Sequence, residues 1–263
     1  MDLTWEYHNG KNFMGLSGNK AYQRTYAIRS YEVDAGGRLS VPSICNLLQD
    51  AASGHAFELG VSVSQLLSDN YTWVLSRIFL KMFHYPVWRD AVQIRTWPSG
   101  IRGAFAFRDF DIRGDGNRCV GCARSAWIVM DTGKRRPVRP TVFADRLKPA
   151  EEAPVMEYAL QKLPPPDGSY VEKRFRVRYS DLDVNRHVNN TNHIEWLTES
   201  IPGLGEKRNG LAALEVNFLG EAFLADQVVA RCMPSQENPN VFSHTIIRES
   251  DQSELIRART LWQ

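Results

Sequence analysis

The chain has 263 residues, of which 43% are hydrophobic and 24% are charged, as in an ordinary globular protein with one large domain or two medium ones. Its 32 basic and 30 acidic residues leave a net charge of +2, so no single-sign field favours a nucleic-acid partner. No apolar run approaches the roughly 20 residues of a membrane-spanning helix. Four cysteines form no disulfide framework and the first residues lack a signal-peptide pattern, which together predict a cytoplasmic protein.

The chain contains one internal repeat, visible as three blocks that occur in the same order in both halves. The aligned pairs are residues 26–34 with 175–183, 88–92 with 224–228, and 123–127 with 258–262. The offset between partners falls from 149 residues in the first pair to 136 and 135 in the others. Chance agreement of generic strand patterns explains one block but not three, so we predict two copies of one fold.

The sequence of the first copy predicts an extended segment, followed by a helix and then by four strands. Apolar residues recur at helical spacing from Ile44 to Leu59, Ser40 and Pro42 are typical of a helix cap and first turn, and Gly60 is typical of a helix end. The strands are predicted at residues 73–83, 91–97, 104–112 and 119–130, with a hairpin turn at 115–116.

An insertion distinguishes the first copy from the second. The fall in offset from 149 to 136 means that the first copy has 13 more residues between its helix and its later strands. They lie around residues 60–71 and include several apolar side chains. Such a segment either covers part of a pocket or forms a longer surface loop.

The second copy repeats the same order. Apolar residues alternate with arginines over residues 174–179, as in a half-buried strand, and Asn189 or Asn190 is the predicted cap of a helix that includes Leu197. Strands are predicted at residues 213–219, 227–233, 241–249 and 254–262. A helix followed by antiparallel strands, without alternating βαβ order, indicates an α+β fold.

The repeat sets the predicted domain boundaries. The first domain covers residues 1–145 and the second covers residues 169–263. Residues 146–168 between them are rich in proline and lack periodicity, which predicts a linker or a strap that crosses between the halves.

Polar residues concentrate directly before the second predicted helix. Asp183, Asn185 and His187 are two residues apart, so an extended chain would project a carboxylate, an amide and an imidazole to one side. The helix start would add free backbone N–H donors that suit a developing oxyanion. The first copy has Gly36 and Arg38 in place of the amide and the imidazole, and this asymmetry favours a functional role over simple helix capping.

Other polar residues point less clearly to a function. Cys119 and Cys122 have the spacing of a metal motif, but without a second pair we interpret them as strand residues, and no metal or cofactor is predicted. His55 and His193 lie within the predicted helices, and we interpret both as structural. The basic run at residues 134–139 is either a solvated strap or a contact for an acidic partner.

Residues 180–190, Ser-Asp-Leu-Asp-Val-Asn-Arg-His-Val-Asn-Asn, resemble the central motif of the acyl-acyl carrier protein (acyl-ACP) thioesterases of plant plastids and bacteria. The likeness continues at Ile194 and Trp196 and, in the first half, at residues 46–51 and 85–90. It covers nearly the whole chain, and the first residues, which lack a transit-peptide pattern, suggest a bacterial-type member. The resemblance implies two tandem hotdog domains, each a long helix wrapped by an antiparallel sheet, with the active site in the second.

By motif, the resemblance assigns catalytic roles to Asp183, Asn185 and His187. A further catalytic Glu on the next strand matches Glu221, but Ala222 replaces the Cys that follows it in the plant enzymes. A Cys nucleophile is therefore not available here. The implied reaction is hydrolysis of fatty acyl-ACP to free fatty acid and ACP, which ends chain elongation in fatty acid synthesis. Glu221 and His187 would activate or position the water, although direct attack by Glu221 with an acyl anhydride intermediate stays open.

The implied partner is an acyl carrier protein that bears a fatty acyl phosphopantetheine. Its acyl chain is expected in an apolar tunnel against the first domain, with aromatic side chains of residues 73–83 and 104–110 as candidate lining. The alternatives are an acyl-CoA thioesterase, a hotdog 3-hydroxyacyl-thioester dehydratase and a non-catalytic acyl-binding protein. Two fused hotdog domains are compatible with a monomer and with a homodimer.

Overall fold

The computed structural model describes residues 20–150, 152, 154–204 and 210–263. The predicted absence of a signal peptide concerns residues outside these ranges. The strands of the described residues are β1 (Tyr22–Ala27), β2 (Tyr71–Met82), β3 (Ala91–Arg102), β4 (Phe105–Arg113), β5 (Cys119–Asp131), β6 (Arg136–Val138), β7 (Val171–Arg176), β8 (Leu211–Phe218), β9 (Gln227–Pro234), β10 (Val241–Arg248) and β11 (Glu254–Trp262). The α-helices are α1 (Val41–Glu58), α2 (Val63–Leu67) and α3 (Asn190–Glu199).

All these strands form one antiparallel sheet in the order β1-β3-β4-β5-β2-β8-β11-β10-β9-β7, with β6 added to β5. The first half of the chain supplies one side of this sheet and the second half supplies the other. They join where β2 pairs with β8, from Arg77 opposite Asn217 to Lys81 opposite Ala213. The predicted α+β fold is confirmed, and the two copies share a continuous sheet.

Helix α1 forms for the predicted reasons. The side chain of Ser40 accepts a hydrogen bond from the backbone N–H three residues on (3.3 Å), and Pro42 lies in the first turn. The apolar face of the helix, which includes Ile44 and Ala51, is buried against the sheet. The helix ends before Gly60, whose positive φ of 69° is a conformation that glycine adopts without strain.

Helix α3 begins after Asn189, whose side chain accepts a hydrogen bond from the backbone of Thr191 (3.1 Å). It has ten residues and is shorter than the long helix that the family resemblance implies. Its buried residues Ile194 and Leu197 share one apolar core with α1. This common core, together with the β2–β8 pairing, connects the two halves.

The strand predictions hold with two exceptions. Strand β3 continues five residues past its predicted end, because Pro98 and Gly100 lie in a bulge rather than in a turn. The alternating pattern over 174–179 predicted too long a strand, since β7 ends at Arg176 and Tyr179 begins a short 3₁₀ turn in which it is 83% exposed. The backbone N–H of Arg178 donates to the Asp181 carboxylate (2.7 Å) and closes that turn.

The proline-rich segment between the halves crosses the sheet as a strap, on the face opposite the helices. Its residues Val155 and Leu160 are buried against strand residues of that face. The guanidinium of Arg77 donates to the carbonyl of Leu160 (2.6 Å), and that of Arg257 donates to the carbonyl of Leu163 (2.6 Å).

The domain boundaries at residues 145 and 169 stay a prediction. No helix within the described ranges is long and apolar enough to cross a bilayer.

Candidate active site

Residues 183–187 form a closed turn, so the extended arrangement in which the three side chains would project to one side does not occur. The backbone N–H of Asp183 donates to the carbonyl of His187 (2.8 Å), and Arg186 adopts a left-handed φ of 64°. The carboxylate of Asp183 accepts hydrogen bonds from the backbone N–H groups of Asn185 (2.8 Å) and His187 (3.2 Å). An aspartate that binds the backbone two residues on is a common way to close a turn. Asp183 therefore shapes the loop that carries the other two polar residues.

Asn185 presents its side chain at the mouth of a cavity. Its amide nitrogen lies 3.4 Å from the second carboxylate oxygen of Asp183. Asn185 and its neighbour Val184 both line the cavity, and Val184 is 95% exposed to solvent. The cavity thus opens to the surface beside this turn.

His187 lies beside Glu221. Its Nδ1 atom is 3.4 Å from the Oε1 atom of Glu221, and the edge of its ring faces Phe223, with 5.2 Å between the ring centroids. Both side chains of the pair are partly exposed, 35% for His187 and 46% for Glu221. Glu221 lies in the loop after β8 and not on the strand itself, which corrects the position that the resemblance implied.

A backbone hydrogen bond holds the loop of Glu221 against the loop of His187. The backbone N–H of Val188 donates to the carbonyl of Ala222 (2.9 Å). The guanidinium of Arg248, on β10, contacts the carbonyl of Glu221. Ala222 is fully buried in the apolar core, whereas Glu221 is exposed. Position 222, where a plant-type Cys would stand, therefore faces the core and not the polar pair.

Two of the N–H groups at the start of α3, where free donors were predicted, are already bound. The N–H of Thr191 is bound to the side chain of Asn189, and the N–H of Asn192 donates to the backbone carbonyl of Asn189 (2.9 Å). The amide of Asn185 is consequently the better-placed donor for a developing oxyanion at the cavity mouth.

The first copy folds the same turn without the amide and the imidazole side chains. The carboxylate of Asp34 accepts from the backbone N–H groups of Gly36 (2.8 Å) and Arg38 (3.0 Å), and Gly37 is left-handed like Arg186. The same loop geometry is thus built twice, but the amide and the imidazole occur only in the second copy.

A second loop is also shared between the copies. The N–H of Leu39 donates to the carbonyl of Pro86 (2.8 Å), which matches the bond between Val188 and Ala222. This correspondence places Tyr85 where the second copy has Glu221. The hydroxyl of Tyr85 donates to the carbonyl of Leu211 (3.0 Å). In the first copy this position therefore serves packing between the halves.

The cavity is lined mainly by the first half of the chain and has a volume of about 470 Å³, within the range of small-ligand pockets. The insertion at residues 60–71 forms part of its wall, including Val63 and Leu67 of α2, which favours the pocket interpretation over a simple surface loop. Trp73 and Phe107 line it as expected. Phe79, by contrast, packs against the strap on the other face of the sheet.

The wall of this cavity includes a buried arginine that the sequence analysis missed. Arg108 is 8% exposed, and its Nη1 atom lies 3.1 Å from both Nδ1 of His55 and Oγ1 of Thr96. Burial lowers the pKa of Arg108 to about 10. Burial, and then the charge of Arg108, lower the pKa of His55 to about 4, so His55 is neutral near pH 7. The sequence did contain a signal for this residue. In the strand predicted at 104–112, every second residue from 104 is apolar except Arg108, so its side chain was expected on the apolar face.

The cysteines show no pairing. All four are free thiols, and Cys119 and Cys122 both lie on β5, as predicted. Among the described residues, no group of three or more His, Cys, Asp or Glu side chains could hold a metal ion.

Comparison with protein families gives a consistent result for both halves. The model of the acyl-ACP thioesterase N-terminal domain matches residues 19–144, and the model of the C-terminal domain matches residues 165–263. The chain belongs to the acyl-ACP thioesterase family. The family resemblance carried by residues 180–190 is thereby confirmed.

Plant enzymes are among the curated relatives of this chain. A palmitoyl-acyl carrier protein thioesterase of Gossypium hirsutum is 29% identical over 92% of this chain and 63% of its own length. The acyl-[acyl-carrier-protein] hydrolase FATB2 of Cuphea viscosissima is 26% identical over 92% of this chain and 62% of its own length. The chain thus spans less than two thirds of the length of these relatives, both of which are named as chloroplastic.

Solved structures of the family share the fold. An acyl-ACP thioesterase from Bacteroides thetaiotaomicron superposes with a TM-score of 0.82 at 23% identity, covering 92% of this chain and 98% of its own. The 12:0-ACP thioesterase from Umbellularia californica superposes with a TM-score of 0.80 at 25% identity, and the match covers 95% of this chain and 99% of its own. The prediction of two tandem hotdog domains is confirmed.

Proposed function

We propose that this protein hydrolyses the thioester of fatty acyl-ACP to free fatty acid and ACP, ending chain elongation. The observation that carries the proposal is the pairing of His187 with Glu221, on the same turn as Asn185, which lines a largely apolar cavity. The cavity would hold the acyl chain, and the polar residues would act on the thioester at its mouth. Membership of the acyl-ACP thioesterase family supports the choice of substrate.

The chemistry needs no covalent intermediate. Water adds to the thioester carbonyl while the Glu221–His187 pair accepts its proton, and the oxygen of the resulting tetrahedral adduct takes a hydrogen bond from the Asn185 amide. The carbon–sulfur bond then breaks, and the departing thiolate takes a proton back to become the thiol of the carrier. Because Ala222 offers no thiol and its position faces the core, a cysteine nucleophile has no place in this scheme.

Asp183 is proposed as a positioning residue. Its carboxylate binds the backbone of Asn185 and His187 and lies within 3.4 Å of the Asn185 amide, so it holds both functional residues on one turn. It contributes to the reaction through them and not by contact with the thioester.

The surface around the cavity mouth suits a protein carrier with acidic and apolar groups. Val184, Phe223 and Leu224 are exposed apolar residues on the two loops that carry His187 and Glu221, and Arg186 is exposed on the same turn as Val184. Acyl carrier proteins are acidic, so these exposed apolar residues and Arg186 support ACP as the proposed partner. A reducing compartment such as the cytoplasm is proposed on the four free thiols.

Release of free thiol from a series of acyl-ACPs, compared with the matched acyl-CoAs, tests this function. We expect turnover of acyl-ACP with a kcat/KM at least about tenfold above that for the acyl-CoA of the same chain length. Turnover of acyl-CoA alone would support thioester hydrolysis but would contradict ACP as the carrier. The absence of thiol release from every substrate, by protein with a cooperative thermal transition, would overturn the proposal and point to a dehydratase or a binding protein.

A further inference from the structure

Arg248, the last residue of β10, uses all three nitrogen atoms of its guanidinium. Its Nε atom donates to the carboxylate of Asp226 (3.0 Å), its Nη1 atom donates to that of Asp251 (2.8 Å), and its Nη2 atom contacts the backbone carbonyl of Glu221. The planar fork of a guanidinium can bind several acceptors at fixed angles, which a single ammonium group cannot. Arg248 therefore ties the loop that carries Glu221 to the sheet.

Arg248 is also connected to His187, through the ring of Phe223. The central carbon of the guanidinium lies 5.9 Å from the centre of that ring, within the range of a cation–π contact. The rings of Phe223 and His187 in turn lie at right angles, with 5.2 Å between their centroids. One side chain thus contacts the backbone of Glu221 and the ring that packs against His187.

The first copy builds the equivalent loop with the same aspartate. The backbone N–H of Val87 donates to the carboxylate of Asp90 (2.9 Å), just as the N–H of Phe223 donates to Asp226 (3.0 Å). The two aspartates are partners in the sequence repeat. The aspartate that closes this loop is therefore common to both copies.

The arginine, by contrast, occurs only in the second copy. Arg248 lies opposite Val228 in the sheet, and the repeat aligns Val228 with Val92. The pairing of β3 with β4 reaches Arg113 one position before Val92, so the next residue, Gly114, takes the place of Arg248. Because the loop of the first copy folds with a glycine there, the arginine is not required to form the loop.

We propose that Arg248 is a positioning residue that, through the fork of its guanidinium, keeps the carboxylate of Glu221 beside His187. Both side chains of that pair are partly exposed, so the packing around them constrains them only in part. A displacement of about 1 Å in a catalytic group can lower a rate by about 100-fold. A residue on a rigid strand that holds the loop of Glu221 prevents such a displacement. This inference rests on the proposed function, because it concerns the polar pair of that same reaction.

The variant Arg248→Met keeps an unbranched side chain and removes the donors. We expect its kcat with acyl-ACP to be lower by about tenfold to about 100-fold. Arg113→Met is the matched control, because Arg113 ends β4, is 20% exposed against 18% for Arg248, and binds the carboxylate of Asp111 (2.8 Å) and the carbonyl of Asn117 (3.2 Å). Its kcat should stay within about twofold of wild type. Equal losses in the two variants would overturn the proposal.

A double-mutant cycle with Glu221 distinguishes positioning from a general loss of structure. In the Glu221→Gln background the carboxylate that Arg248 positions is already gone, so Arg248→Met should lower kcat further by less than about threefold. A general loss of structure would lower kcat by the same factor in both backgrounds. That result would contradict a role through Glu221.

The variant Arg248→Lys covers the case in which Arg248→Met does not fold. It keeps a positive charge beside Asp226 and Asp251, but one ammonium group cannot bind both carboxylates and the carbonyl of Glu221 in the same geometry. We expect kcat to be lower by at least about fivefold. Wild-type kcat in Arg248→Lys would show that the guanidinium fork does not set the position of Glu221.

A spectroscopic measurement separates this inference from the proposed function. The ring of Phe223 shifts the NMR resonances of the His187 ring protons, so these resonances report the relative position of the two loops without turnover. They are identified by their absence from the spectrum of His187→Ala. We expect them to move in Arg248→Met and to stay in place in Arg113→Met. If the wild-type protein hydrolyses no acyl-ACP, the proposed function fails, and the role of Arg248 then stands or falls on this shift.

Discussion

Asp183 and Asp34 occupy equivalent positions in the two halves and fold the same turn. Each carboxylate accepts hydrogen bonds from the backbone two and four residues on, at 2.8 and 3.2 Å for Asp183 and at 2.8 and 3.0 Å for Asp34. Only the turn of Asp183 carries an amide and an imidazole, Asn185 and His187. The aspartate is therefore common scaffold, and we assign the chemistry to the residues that differ.

Substitution of these two aspartates distinguishes their contribution to stability from a contribution to the reaction. Asp183→Ala and Asp34→Ala should each lower the free energy of unfolding by about 1–2 kcal/mol, because each removes two backbone hydrogen bonds. Only Asp183→Ala should lower kcat, by about tenfold or more, with little change in KM. Asp183→Asn keeps an accepting oxygen and should restore most of the activity. Equal effects of the two alanine variants on kcat would refute the positioning role.

Removal of the carboxylate charge at Glu221 tests the water-activating pair. Glu221→Gln should lower kcat by about 100-fold or more, the usual contribution of a general base. Its thermal midpoint should stay close to that of the wild type, since the side chain is 46% exposed. Activity within about threefold of wild type, less than 1 kcal/mol in the barrier, would remove Glu221 from the mechanism.

Three buried histidines predict a loss of stability in acid. Burial lowers the pKa of His55 and His193 to about 4 and that of His244 to about 3, from the ordinary value of 6.5. The unfolded chain therefore binds more protons than the folded one between these values, so stability is fully present above pH 6.5 and is lost as the pH falls towards 4 and 3. Each histidine accounts for a loss of on the order of 3 kcal/mol in the free energy of unfolding once the pH falls below its pKa in the folded protein.

Urea unfolding at a series of pH values checks this prediction. His193→Phe keeps the ring that packs against Trp196 and removes one titrating group, so the pH dependence between 6.5 and 4 should become shallower by about one proton. An unchanged slope in His193→Phe would show that this residue is not neutral and buried in the folded protein.

The buried ion pair beneath the strap predicts a large stability effect. Asp109 is fully buried, pairs with Arg124 through both oxygens and accepts the backbone N–H of Val155 (3.1 Å). Asp109→Ala leaves the guanidinium unpaired and should cost about 3–5 kcal/mol in urea unfolding.

The surface pair of Lys173 with Glu199 provides the control for this measurement. Its two side chains are 53% and 55% exposed and lie 3.6 Å apart. Glu199→Ala should therefore change the free energy of unfolding by less than about 1 kcal/mol. A similar small effect for Asp109→Ala would mean that the strap does not depend on this pair.

Local pattern predicted those features of the fold that depend on neighbouring residues. Helix α1 begins at its predicted cap, Ser40, and the hairpin turn lies at residues 115–117, because capping and turn chemistry act over a few positions. The end of β3 was missed because Pro98 and Gly100 are typical of a turn, and only pairing with β4 carries the strand past them.

The candidate site shows the same division. The motif predicted Asn185 and His187 as site residues, and the structure places His187 3.4 Å from Glu221, while their catalytic roles stay a prediction. The closed turn at Asp183 was missed because i, i+2 spacing fits both a strand and an aspartate-closed turn. The burial of Arg108 in the cavity wall was missed because its partner His55 lies 53 residues away in the chain, and no local pattern describes the cavity.

Comparison of His187→Ala with Arg38→Ala decides whether the chemistry resides in the turn of the second copy. The two residues occupy equivalent positions on equivalent turns, so the variants perturb the backbone alike. With acyl-ACP as substrate and release of free thiol as the readout, His187→Ala should lose at least about 99% of the wild-type rate, while Arg38→Ala stays within about twofold. Loss of activity in both variants, or in neither, would show that the chemistry is not confined to the second turn.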